Sequence, residues 1–128
     1  MNNVTDTQTS EDIELLPVFE KWAALEPDRC SVSRFDDGQV FTLSLDGNAV
    51  AWYLLPSALR VMEKAVLQAC LQEAIAAHGW LYKIENATDG QHYVQVLKPK
   101  NHAYFTGQHA EPATALLLAY LQALEVAA

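Results

Sequence analysis

Between Cys30 and Leu54 the chain alternates apolar with polar residues and is broken twice by an aspartate-glycine pair, at Asp37-Gly38 and Asp46-Gly47. No other stretch restricts the local structure so tightly. Glycine accepts the positive φ that a tight hairpin turn demands, so the pattern predicts a meander of three strands, CSVSRF, QVFTLSL and AVAWYL. In the middle run Phe41, Leu43 and Leu45 share one face, and Thr42 and Ser44 the other. One sheet face is expected to be buried and one more polar.

A buried sheet face needs a cover, and helical periodicity on both sides of the meander supplies it. Upstream, Leu15, Leu16, Val18, Phe19, Trp22 and Leu25 recur at three- and four-residue steps, which predicts a helix to about Leu25. Residues 1–10 are polar and aperiodic and read as a flexible leader to a single domain over 11–128. Thr9 or Ser10 suits the N-cap, and Glu11, Asp12 and Glu14 suit the positive end of the helix dipole. Pro17 removes a backbone donor and should make the start ragged or two-part; Pro27 stops the helix.

Downstream, Pro56 and Ser57 open the longest predicted helix, 57–78, which Gly79 can close in the left-handed conformation. Arg60, Lys64, Gln68 and Gln72 draw one polar stripe along it, and Leu59, Val61, Met62, Val66, Leu67, Leu71 and Ile75 fill a wide apolar arc. That arc exceeds what one sheet needs, so the helix is expected to be central or to pack on a second subunit. Two strands follow, WLYKIEN and HYVQVLK, with a short third around His102 to Thr106. Pro112 starts a last helix with an apolar face of Leu116, Leu117, Tyr120, Leu121 and Leu124, and Leu118 to the side. The expected class is α+β, in the order helix-βββ-helix-ββ(β)-helix, with antiparallel sheet packed against helices. At 128 residues the chain is the size of one domain, which most often runs to roughly 100–150 residues.

Acids outnumber bases 16 to 8, and ten of the acids fall in residues 1–46. Such a field repels nucleic-acid phosphates and anionic lipid and favours a partner with basic segments. Residues 1–10 match neither a secretory signal nor a transit peptide, and no apolar run approaches the roughly 20 residues that span a bilayer. Cys30 and Cys70 fit a reducing cytoplasm and read as small buried groups. His78, His92, His102 and His109 lack metal-ligand spacing, no phosphate loop or nucleophile elbow appears, and the paired acids are accounted for by a helix start and a turn. Neither metal, cofactor nor catalysis is expected. Trp22, Trp52 and Trp80 are expected in the core.

The segments LLPVFEKWAALE, CSVSRFDDGQVFTLSLDG, AVAWYL, VMEKAVLQACLQEAI, WLYKIENATDGQHYVQVLKP and ALLLAYLQALEV, taken in order with the low pI, resemble the class I type III secretion chaperones. These are small acidic cytoplasmic dimers that escort effectors to the injection apparatus. The resemblance covers about 12–126 and departs from the family in the leader, Pro17, and an added aromatic loop at His102-Ala103-Tyr104-Phe105. It implies a homodimer built on Leu59, Met62, Val66, Leu67, Leu71 and Ile75. It also implies that the N-terminal segment of a secreted effector docks on Leu15, Leu16, Val18, Phe19, Trp22 and Leu25, with the secretion ATPase as a further partner, no nucleic acid and no membrane insertion. The second half alone has the order of a double-stranded-RNA-binding domain, but Glu111-Pro112-Ala113-Thr114-Ala115 stands where that module needs bases. The alternative function is a small acidic phage-type interaction protein or inhibitor of a nucleic-acid-binding enzyme; an inhibitor that mimics nucleic acid would carry regularly spaced exposed acids over a large face.

Overall fold

A computed structural model describes residues 14–55 and 59–126. The expected leader, the caps at Thr9 or Ser10 and the helix opening at Pro56 and Ser57 lie outside the described residues. The chain is α+β, and its described residues form three helices and two antiparallel three-stranded sheets.

Helix α1 spans Leu15–Leu25. Glu14 precedes it in extended conformation without a side-chain cap bond, which puts Pro17 third in the helix. The amides there have no intrahelical acceptor, so the missing donor costs nothing and α1 is unbroken over Leu15–Leu25; the ragged or two-part start expected upstream lies outside the described residues.

Strands β1 (Cys30–Phe35), β2 (Gly38–Leu45) and β3 (Asn48–Tyr53) form the meander. Leu45 faces Asn48 across a two-residue loop, and Asp46 at φ 52° and Gly47 at φ 80° are both left-handed, as a type I′ turn requires. The backbone amide of Asp46 donates to the Glu73 carboxylate at 3.0 and 3.2 Å, which ties this turn to the second helix.

Helix α2 runs Val61–Ala77, starting later than expected. The Arg60 amide donates to Glu63 Oε1 at 2.7 Å, and the Arg60 guanidinium pairs with the same carboxylate. This explains how Glu63 is tolerated at 1% exposure. At the far end Gly79 donates to Ala76 and Trp80 to Ile75, both at 3.0 Å, with Gly79 at φ 76°. These are the paired bonds of a Schellman ending.

Strands β4 (Leu81–Asn86), β5 (His92–Lys98) and β6 (Ala103–His109) form the second sheet. The segment read as an added aromatic loop is the start of a full seven-residue strand. Its Gly107 looks like a strand breaker, but helix α3 (Pro112–Glu125) passes so close that a Cβ there would lie 2.2 Å from the Ala115 carbonyl oxygen. Glu111 caps α3 by accepting from the Ala113 amide at 2.8 Å.

The central helix is α3, not α2 as one expectation had it. Ten of its fourteen residues are buried, because it lies on β5 and β6 and is covered by α1 and α2. Phe19 and Trp22, Phe41 and Leu43, Leu67 and Leu71, Val94 and Val96, and Leu116 and Tyr120 belong to one continuous core.

Candidate interaction surfaces

The three-residue steps of α1 do place its aromatics on one side, but that side faces inward. Leu15, Phe19 and Trp22 are buried, with both aromatics at 0% exposure. Phe19 stacks on Phe41 at 4.6 Å, and Trp22 meets the edge of Tyr120 at 6.1 Å. The expectation that Phe19 and Trp22 line an exposed groove is therefore corrected: they fill the core of the single chain. Leu16 and Val18 are half-buried, and Leu25 is exposed. On and just before α2 a similar division holds, because Leu59, Leu67, Leu71 and Ile75 are already buried within one chain. Of the six residues expected at an interface, only Met62, at 66% exposure, and half-buried Val66 remain accessible.

The C-terminal ends of α1 and α2 meet at one carboxylate. Glu26 accepts from Tyr120 Oη at 2.6 Å and from Trp22 Nε1 at 3.1 Å, and its second oxygen lies 3.0 Å from His78 Nε2. Burial alone would raise the Glu26 carboxyl, but the hydrogen bonds from Tyr120, Trp22 and His78, with the attraction of His78, outweigh it and hold the group below the usual carboxylate value. The Tyr120 phenol is pushed up, first by burial and then by its bond to Glu26. This cluster joins the ends of α1 and α2 to Tyr120 of the last helix.

Large apolar side chains stand instead on the outer sheet faces. Register puts Phe35, Val40 and Tyr53 on the same outer face of the first sheet, and Phe35 and Tyr53 are more than half exposed. The Arg60 guanidinium donates to the Tyr53 carbonyl, so exposed Val61 and Met62 begin α2 just beyond the end of β3. On the second sheet Leu81, Leu97 and Tyr104 lie directly opposite one another across all three strands.

Strand β4 is an edge with little cover. Among the described residues it pairs only with β5, and five of its six residues are exposed. A bare edge presents unpaired amides and carbonyls and is a template for a further strand. A cleft of about 660 Å³ opens between α1, α3, β5 and β6, with Val18, Val94, Leu118 and Leu121 among its lining and Lys21 and Gln122 at its polar side.

Among the described residues no group of three or more His, Cys, Asp and Glu is placed to hold a metal ion. Burial pushes the Cys30 thiol up to about 12 and the Cys70 thiol to about 11, so neither is a ready nucleophile. No helix among the described residues is long and apolar enough to cross a membrane.

The sequence signals for these surfaces were present but weak. Phe35 and Tyr53 are the large residues on the otherwise small or polar faces of β1 and β3, which strict alternation could have singled out. The exposure of β4 follows from the position of α3, which periodicity does not give. The fold and its surfaces define a small α+β protein with open sheet edges. Comparison with known protein families, with curated proteins and with solved structures finds no match.

Proposed function

We propose that the chain is a non-catalytic homodimeric chaperone of the secretion type, which holds an extended segment of a client protein in the cytoplasm and delivers it for export. The observation that carries this reading is β4, an edge strand exposed on both faces. A two-fold axis through Ile84 would set Lys83 opposite Glu85 of the second copy, and Glu85 opposite its Lys83, with Ile84 against its own copy. Antiparallel addition of this kind draws on backbone pairing and needs little sequence match. The client's apolar stretches would then occupy the cleft beside Val18, Leu118 and Leu121 and the outer patch of Phe35 and Tyr53, in keeping with strand addition combined with pockets. The acidic-inhibitor alternative has less support, because Glu20, Glu26, Glu63, Glu85, Glu111 and Glu125 are engaged in ion pairs within the chain.

Sedimentation equilibrium of the full chain is expected to show a dimer at micromolar concentration. Glu85→Lys should shift it toward monomer, and adding Lys83→Glu should restore it. A client co-purified from the native host should show one protease-protected extended segment. A parent chain that is monomeric throughout, or a co-purified client with no protected segment, would refute the reading.

A further inference from the structure

Where α2 gives way to β4, an opening of about 400 Å³ is bounded by His78, Trp80, Leu124 and the β5–β6 turn with Lys98, Lys100 and Asn101. The chain has twice as many acids as bases, yet among the described residues no acid lines this opening and two lysines do.

Lys98 is only 7% exposed. Its Nζ donates to the Val126 carbonyl at 2.8 Å and stands 4.7 Å from the Trp80 ring and 5.0 Å from the Phe105 ring. An ammonium has three donors, of which the carbonyl takes one. Among the described residues no carboxylate pairs with Lys98. One carbonyl and two ring faces compensate a buried charge less fully than an anion would. Burial also holds the Lys98 ammonium below its usual value, the direction expected of such a cation. The wall beside it is fixed, since the His78 ring stacks on Trp80 at 4.1 Å and its Nε2 is engaged by Glu26.

We infer that this opening binds a small organic anion, with a phosphate or carboxylate headgroup held by Lys98, Lys100 and Asn101 and a flat apolar body resting on Trp80, Pro99 and Leu124. The volume lies within the range of small-molecule sites, about 300–1,000 Å³. The site stands independently of the chaperone reading.

The test is a nuclear magnetic resonance titration of the full chain with phenyl phosphate, following the Trp80 indole and the Lys100 amide. A saturable shift is expected. Benzyl alcohol, which keeps the ring without the charge, should bind at least about tenfold more weakly, as should phenyl phosphate to Lys100→Ala, since a charge-assisted hydrogen bond is lost in each. Lys98→Met keeps an apolar stem between the rings and should abolish the shift; if that variant does not fold, exposed Lys100→Ala decides. Inorganic phosphate should bind more weakly than phenyl phosphate, which separates a free anion from an organic one. No saturable shift, equal binding of benzyl alcohol, unchanged affinity in Lys100→Ala, or inorganic phosphate binding as tightly as phenyl phosphate would each overturn the assignment.

Discussion

Replacing Gly107 by alanine should destabilise the protein, although local propensity points the other way. Glycine inside a strand is less favourable than alanine by roughly 0.5–1 kcal/mol, because it loses more freedom on folding. The packing of α3 reverses that sign. The added methyl would meet the Ala115 carbonyl oxygen at 2.2 Å and the Ala119 amide nitrogen at 2.8 Å, and both atoms belong to helix backbone that no rotamer change can move. Reaching ordinary contact at 3.4 Å requires α3 to withdraw from β6 by roughly 1 Å, a gap that forfeits a quarter to a half of each dispersion contact it opens. Because the helix also rests on β5 through the same core, the cost should reach the upper part of the overpacking range, about 3 kcal/mol. Urea unfolding followed by circular dichroism measures it as a lower midpoint at unchanged slope. A variant within about 0.5 kcal/mol of the parent, the range of neutral surface changes, would refute the close approach of α3.

Three further outcomes are expected. Tyr120→Phe removes the 2.6 Å donor to Glu26 and should cost about 1.5–3 kcal/mol in urea, the range for a hydrogen bond to a charged group. Glu26 has a folded pKa below its unfolded one, so its contribution is present above the unfolded value and is lost as pH falls through the folded value. Stability measured from pH 6 down to pH 2 should therefore fall less steeply in Glu26→Gln than in the parent, and parallel curves would refute this. Cys30 and Cys70, both buried with thiols raised by burial, should resist a disulfide reagent at pH 8 until denaturant is added; rapid labelling of the native chain would contradict their placement.

Much of the element order was legible because it depends on local rules. Asp46-Gly47 demanded a particular turn, Gly79 a particular helix ending, and Pro112 a particular start, and each is decided by a few neighbouring residues. What was not legible depends on which element covers which. Val61, Met62, Val66, Leu67, Leu71 and Ile75 gave α2 a wide apolar arc on paper, yet the alanines of α3, packed over Gly107, are what let that helix approach the sheet and become central. Phe19 and Trp22 were seen as a face, but a periodic pattern does not say whether the face turns toward core or solvent. The seclusion of Lys98 was invisible for the same reason, since its covering rings, Trp80 and Phe105, lie 18 and 7 residues away in the chain.

Because α3 comes after both sheets in the order of synthesis, the nascent chain makes all six strands before the helix that shelters them exists. The hairpins can close locally, but Phe41, Leu43, Val94 and Val96 belong to a core that α3 completes, and until it arrives they face water or other chains. Sheet surfaces exposed in that interval invite association with neighbouring polypeptides. Chains that end before Pro112 should accordingly be sticky rather than merely unfinished once released.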